Sequence, residues 1–151
     1  GNQSPVMIPS KGRFMMQDLQ RFARRYQVPM RFNPHFPLNT LLLMRMATGL
    51  QLRQPERFEH FVATVFRAIW VDALNLGDMN VLAEVLGRAG FDPQALQALA
   101  GEQEVKDRLK VTTEEAVSRG VFGAPCMFVG DELFFGQDRL DFVREALLAA
   151  G

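Results

Sequence analysis

A single short β-hairpin near the end of a largely helical sequence limits the folds open to this chain. Residues 126–129 form an apolar strand candidate, residues 130–132 a turn and residues 133–135 the returning strand. The helical pattern ends at Gly120: almost all the elements predicted before it are helices, and the strands follow it. Two strands alone are marginally stable in water, so the hairpin needs helices that cover it or further strands that extend it.

Helical periodicity accounts for most of the other residues. Ser10 is expected to cap a first helix that runs to about Gln27, and Asp138 is expected to cap the last one. Val28–Phe32 is a short extended candidate, because Pro29 disfavours a helix there. Between these elements, apolar spacing predicts helices over residues 38–52, 55–74, 78–90, 92–101 and 103–119.

Apolar stripes on several of these helices predict buried faces. Three of the stripes lie on the first helix, on the helix over residues 103–119 and on the last helix. Their members are Met15, Leu19, Phe22, Ala23 and Tyr26; Val105, Leu109, Ala116 and Val117; and Leu140, Val143, Ala146 and Leu147.

Composition excludes several classes of function. The 151 residues carry 17 Lys and Arg against 17 Asp and Glu, so no net charge attracts nucleic acid or an anionic membrane. One cysteine permits neither an intrachain disulfide nor a CxxC pair within these residues. The two histidines lie far apart, which argues against a metal site. No apolar run approaches the roughly 18 residues needed to span a bilayer.

The segment around the hairpin carries a family signature. Residues 120–129 read Gly-Val-Phe-Gly-Ala-Pro-Cys-Met-Phe-Val, and Phe-Gly-Gln-Asp-Arg-Leu follows at 135–140. Gly1-Asn2, the run at residues 9–13 and the run at residues 32–37 agree with the same pattern. Along essentially its whole length the chain resembles the 2-hydroxychromene-2-carboxylate isomerases, which group with kappa-class glutathione transferases in the DsbA-like branch of the thioredoxin fold.

The resemblance implies an α/β, thioredoxin-like fold with a large all-helical insertion. Residues 1–37 would be a loop, a helix and an extended segment that lead out of the thioredoxin-like domain. Residues 38–119 would form the helical insertion, and residues 120–151 would form the C-terminal half of the thioredoxin-like domain. Members of the family open with a strand, a helix and a strand before the position matching Gly1. The catalytic serine of the family belongs to that unit, so we expect it in a segment before Gly1.

The resemblance implies a glutathione site made partly of backbone. Ala124-Pro125 matches the cis-proline position, where the peptide before proline can bind the cysteinyl part of glutathione like an added strand. The ordinary alternative is a trans proline that opens a strand. Gln137 and Asp138 match positions that hold the γ-glutamyl end, although an Asp there can equally cap a helix.

Three residues of the first 37 complete the predicted site. Asn2 and Lys11 match positions that touch glutathione in the family, although Lys11 can also be an ordinary surface lysine. His35 stands between prolines and could face the substrate pocket, and a loop or core histidine is the simpler interpretation.

Three further side chains are interpreted as structural. Cys126 follows the proline on a strand without a second cysteine, which is typical of a small buried residue rather than a nucleophile. His60 and Trp70 lie at apolar helix faces and are expected to pack in or beside the core.

The resemblance implies a cytoplasmic, homodimeric, glutathione-dependent cis-trans isomerase that acts on a small aromatic substrate in aromatic-compound degradation. In that chemistry the thiolate of glutathione adds reversibly to a conjugated carbon, a bond rotates, and elimination follows. A kappa-like glutathione transferase would use the same site. A DsbA-like thiol-disulfide oxidoreductase would need a CxxC in the preceding segment, and a non-enzymatic binding domain is the remaining alternative.

Overall fold

The computed structural model describes residues 8–150. Within that range the chain forms seven α-helices and one antiparallel pair of strands, joined in places by single 3-10 turns. The helices are α1 (Pro9–Tyr26), α2 (Leu41–Arg53), α3 (Phe58–Trp70), α4 (Met79–Arg88), α5 (Pro93–Gly101), α6 (Gln103–Ser118) and α7 (Leu140–Ala150), and the strands are β1 (Cys126–Val129) and β2 (Glu132–Phe135).

The chain packs as two compact units, Gly1–Val105 and Lys106–Gly151. The first contains the main apolar core, where α2 packs against α3 and α5, and α4 packs against α3 and α5. The second contains the hairpin, against whose β1 strand α7 packs. The domain boundaries expected from the sequence, after residues 37 and 119, stay a prediction.

The helix starts predicted at residues 78 and 92 are confirmed, whereas the predicted start of α1 is not. Asp78 Oδ1 accepts a hydrogen bond from the Asn80 N–H at 2.8 Å, and Asp92 caps α5 in the same manner ahead of Pro93. The prediction that Ser10 caps α1 is wrong, because the helix begins at Pro9 with Ile8 at the cap position and no side-chain bond. Proline suits the first helical position, since its fixed φ is helical and its missing N–H is not needed there.

One glycine lets two core helices approach closely. Gly49 of α2 is buried, and a Cβ built on it would lie 2.6 Å from Cγ of Leu99 in α5. Any larger residue would therefore push α5 away from α2. The core around this contact consists of Leu43, Met46, Leu50, Phe61, Val65, Ala68, Ile69, Leu76, Leu82, Leu86, Phe91, Leu96 and Ala100.

Buried Asn33 fastens the segment between α1 and α2 to the end of α3. Its side chain is fully buried, and its Nδ2 donates to the C=O of Ile69 at 3.0 Å and of Leu74 at 2.8 Å. Its Oδ1 accepts from the N–H of His35 at 2.8 Å. Because all three hydrogen bonds of this buried amide are made, Asn33 holds the loop at residues 33–35 against the end of α3. The sequence pattern does not reveal this role.

Several predicted faces and elements are corrected by the structure. Tyr26 of α1 is 47% exposed, Val117 of α6 is 65% exposed, and Leu140 and Leu147 of α7 are also exposed. Helical spacing shows which residues share a face but not what packs against it. Val28–Phe32, which the sequence predicts to be extended, lies in no helix or strand, and its Arg31 N–H donates to the C=O of Trp70.

Within residues 8–150, no helix is both long enough and apolar enough to cross a membrane. Over the same range, no three His, Cys, Asp or Glu side chains stand close enough together to hold a metal ion.

Replacing Asn33→Asp tests the fastening role. A carboxylate can still accept from His35 but cannot donate to the two buried carbonyls, so we expect the free energy of unfolding to fall by at least about 2 kcal/mol. Urea denaturation followed by circular dichroism measures the change. Asn39→Asp is the matched control, because exposed Asn39 only accepts, from the Leu41 N–H, and a carboxylate keeps that bond. Equal midpoints for the two variants would contradict the role.

Candidate functional site

The end of α6 and the approach to β1 are shaped by Gly120. Its φ of +88° lies in the left-handed region, which glycine adopts at little cost. The N–H groups of Gly120 and Val121 donate to the carbonyls of Val117 and Ala116, which closes the end of the helix. The next residues therefore leave α6 in a fixed direction.

Aromatic packing then sets the position of the residues before β1. The rings of Phe122 and Phe135 lie 4.6 Å apart. A Cβ on Gly123 would lie 2.8 Å from Cε2 of Phe135, so a glycine is needed where this ring passes the backbone. The half-buried Cys126 thiol donates to the C=O of Gly123 at 3.0 Å, and its interpretation as structural agrees with that contact.

The Ala124–Pro125 peptide is cis, as the resemblance predicts. The hairpin pairs Cys126 with Phe135, and the Gly136 N–H donates to the Pro125 C=O at 3.0 Å, which continues that register by one residue. Ala124 is exposed, and within residues 8–150 its N–H and C=O make no hydrogen bond. Its peptide is therefore an open main-chain edge.

The pairing stops because the chain turns away at Gly136. This residue has φ +102° and ψ 148°, a combination essentially restricted to glycine. A Cβ there would also lie 2.5 Å from Oδ1 of Asp138, so the carboxylate folds back over the glycine. Gln137, which would come opposite Ala124 in the hairpin register, instead begins a 3-10 turn that leads into α7.

Asp138 lies inside this turn and does not cap it. The turn has no side-chain cap hydrogen bond, and Oδ2 of Asp138 pairs with Nη1 of Arg139 at 2.6 Å. The interpretation of Asp138 as a helix cap is thus not supported, because its carboxylate lies beside Gly136 and Arg139. Oδ1 makes no hydrogen bond within the described residues and can accept one from a ligand.

The predicted site residues fall on both units. In Lys106–Gly151, the bond between Gly136 and Pro125 brings Ala124 and Pro125 beside Gln137 and Asp138.

The other predicted residues belong to Gly1–Val105. Lys11 is exposed in the first turn of α1. His35 is also exposed and is not among the residues that line either cavity described next. Asn2 and the expected serine lie outside the described residues.

Sequence reasoning missed two cavities in the unit Gly1–Val105. The α1 cavity, of about 640 Å³, lies against α1 and is lined in part by Met16 and Phe32. The α2–α3 cavity, of about 230 Å³, lies between those helices. Phe36 and Trp70 line both cavities, with ring centroids 5.6 Å apart. Trp70 does pack against the core as predicted, and the aromatic cluster at residues 32, 36 and 70 is the signal that could have pointed to a pocket.

Comparison with known proteins defines the class to which the chain belongs. The family model of the DSBA-like thioredoxin domain matches residues 1–148. The chain therefore belongs to the DsbA-like thioredoxin domain family, and its fold is the thioredoxin-like DsbA fold.

Within that family the similarity is to two groups of enzymes. The chain is 34% identical to 2-hydroxychromene-2-carboxylate isomerase of Sphingobium xenophagum over 98% of its length and 75% of the relative's. It is 30% identical to glutathione S-transferase kappa 1 of Rattus norvegicus over 95% of its length and 69% of the relative's. A solved 2-hydroxychromene-2-carboxylate isomerase superposes with a TM-score of 0.81 at 27% identity, covering 99% of this chain and 71% of that one.

Gly136→Ala tests whether the turn depends on glycine. The strained backbone and the contact with Asp138 should cost about 1–3 kcal/mol, which would speed hydrogen exchange of the β1 and β2 amides by tenfold or more. Gly87→Ala in α4 is the control, because its Cβ would meet nothing within 4 Å. Unchanged exchange in the hairpin of Gly136→Ala, measured by NMR, would show that the turn tolerates a side chain.

Proposed function

We propose that this protein is a glutathione-dependent cis-trans isomerase of the 2-hydroxychromene-2-carboxylate type. The observation that carries the proposal is the open main-chain edge at Ala124, held beside Asp138 by the bond from Gly136 to Pro125. A peptide ligand needs a backbone edge to pair with, and glutathione is a tripeptide. The similarity to the Sphingobium isomerase supports the same assignment.

The residues present fit glutathione at two points. The N–H and C=O of Ala124 would pair with the cysteinyl residue in the manner of an added strand. Oδ1 of Asp138 would accept from the γ-glutamyl ammonium, while Oδ2 stays with Arg139. The resemblance adds Gln137, Lys11 and Asn2 as further contacts.

When bound, glutathione supplies a thiol nucleophile for reversible covalent addition to a conjugated carbon of a small aromatic substrate. The protein's share of this chemistry is positional. Ala124 and Pro125 would fix the main chain beside the thiol, and Asp138 would anchor the far end of the tripeptide. Such orientation lowers the barrier because the reacting atoms are already held at the right geometry. Action in aromatic-compound degradation is part of this proposal, and a homodimer in the cytoplasm stays a prediction.

A kappa-type glutathione transferase is the second candidate. The rat kappa transferase is almost as similar to this chain as the Sphingobium isomerase is, at 30% against 34% identity. The same tripeptide site would serve it, with release of a conjugate in place of an isomer.

Glutathione titration by calorimetry tests the site. Asp138→Asn keeps the shape but removes the charge, so we expect affinity to fall tenfold or more, the range of a charge-assisted hydrogen bond. Asp131→Asn in the exposed hairpin turn is the control and should bind like the wild type. Wild-type protein that binds no glutathione would overturn the proposal, and equal affinity in both variants would remove Asp138 from it.

Assays with two substrate types separate the candidate functions. With glutathione present, the proposal expects isomerisation of 2-hydroxychromene-2-carboxylate and little conjugation of an electrophilic halonitrobenzene. Conjugation without isomerisation would favour the transferase instead.

A further inference from the structure

The α2–α3 cavity reaches buried apolar side chains of the core. Leu43 of α2 and Phe61, Val65 and Ile69 of α3 line it, and all four are buried. Phe36, from the segment before α2, adds a third side. The space of about 230 Å³ lies within the unit Gly1–Val105. These walls form a pocket rather than a flat apolar face.

Both helices are held by contacts outside the cavity. α2 lies against α5, where the absent Cβ of Gly49 leaves room for the side chain of Leu99. The end of α3 is fastened by Asn33, whose Nδ2 donates to the C=O of Ile69 at 3.0 Å. Moving α2 toward α3 would give up the contact with α5. The cavity is therefore preformed, as ligand pockets usually are.

The cavity opens to solvent between apolar side chains. Met44 and Phe66 line it and are 50% and 61% exposed. A molecule seated there would remove from water apolar surface that both side chains otherwise leave hydrated, which is favourable.

Water is a poor occupant of this cavity. Among the described lining residues the polar side-chain groups are the Thr40 hydroxyl and the Trp70 indole N–H, and no side chain is charged. A buried water usually makes about three hydrogen bonds, whereas an apolar cavity of about 150 Å³ stays dry and accepts benzene. A space of about 230 Å³ can hold a somewhat larger molecule.

We propose that the α2–α3 cavity is a binding site for a small, neutral and largely hydrocarbon molecule. A charged ligand is disfavoured, because an ion would lose its hydration there without gaining a partner of opposite charge. The inference goes beyond the proposed function, since this site needs neither glutathione nor a chemical step.

The fluorescence of Trp70 tests the proposal. It is the single tryptophan of the sequence and lines the cavity, so its emission reports occupancy. The protein is titrated, without glutathione, with cyclohexylmethanol and with cyclohexanecarboxylate, which share the ring and differ in charge. We expect a saturable response to the alcohol and an affinity for the carboxylate that is weaker by about tenfold or more.

Two variants change the cavity itself. Ala47→Phe places a ring in the space and should abolish the response to the alcohol, with folding checked by circular dichroism. Met44→Gln brings an amide to the exposed rim, where it does not disturb the core, and should weaken binding about threefold or more. The second variant therefore carries the test if the first does not fold.

Two control variants locate the site. Met79→Gln makes the same exchange at an exposed methionine of α4 that lines neither cavity, and it should bind like the wild type. Met16→Gln changes the α1 cavity, which Trp70 also lines, and should likewise leave the affinity unchanged.

The proposal is overturned by a wild type that shows no saturable response to the alcohol or binds the carboxylate equally well. Full affinity in Met44→Gln or in folded Ala47→Phe overturns it too, as does an equal loss of affinity in Met79→Gln or Met16→Gln. Sedimentation velocity covers the rival occupant: an oligomeric state that changes in Met44→Gln but not in Met79→Gln would assign the cavity to a second copy of the chain instead.

Discussion

The hydrogen bond from the Gly136 N–H to the Pro125 C=O is the contact on which the candidate glutathione site depends. It is the last rung of the hairpin, one residue beyond the pairing of Cys126 with Phe135. The chain turns away at Gly136 immediately afterwards. Within residues 8–150 the N–H and C=O of Ala124 make no hydrogen bond. Because the partner strand turns away while the chain around Ala124 stays in place, the main chain at Ala124 presents a fixed edge to a ligand.

The glycines of the signature segment have distinct physical tasks that serve this geometry. Gly120 reverses the chain after α6, Gly123 makes room for the ring of Phe135, and Gly136 carries the turn. Arg119 adds a further fastening, because its guanidinium lies 3.6 Å from the ring centroid of Phe128 in β1. The spacing that made the segment recognisable in the sequence is therefore the spacing that this local packing requires.

Local chemistry explains why some of the fold was predictable from sequence. The helix starts at residues 78 and 92, the hairpin and the cis peptide at Ala124–Pro125 depend on residues close together in the chain, and the resemblance supplied the last of these. His60 also behaves as predicted, since it lies 3.0 Å from the C=O of Ala89 and stacks on Phe91.

What the sequence did not reveal depends on contacts between distant segments. Asn33 bonds to Ile69 and Leu74, more than thirty residues away, and no local pattern marks an asparagine for burial. The α1 cavity likewise lies between α1 and the side chains of Phe36 and Trp70, so it forms only when these segments meet. The exposure of Val117 and Leu147 was unpredictable for the same reason, because an apolar stripe on a helix does not show which segment packs against it.

The distinction between an isomerase and a transferase cannot reside in the residues that hold glutathione. Both reactions need the same tripeptide in the same orientation, so Ala124, Pro125 and Asp138 of the proposed site would serve either one equally. The reactions differ in the acceptor: an isomerase must keep hold of the adduct while a bond rotates and must then eliminate the thiol, whereas a transferase must release it. The difference between the two functions is therefore to be sought in the side chains that meet the acceptor.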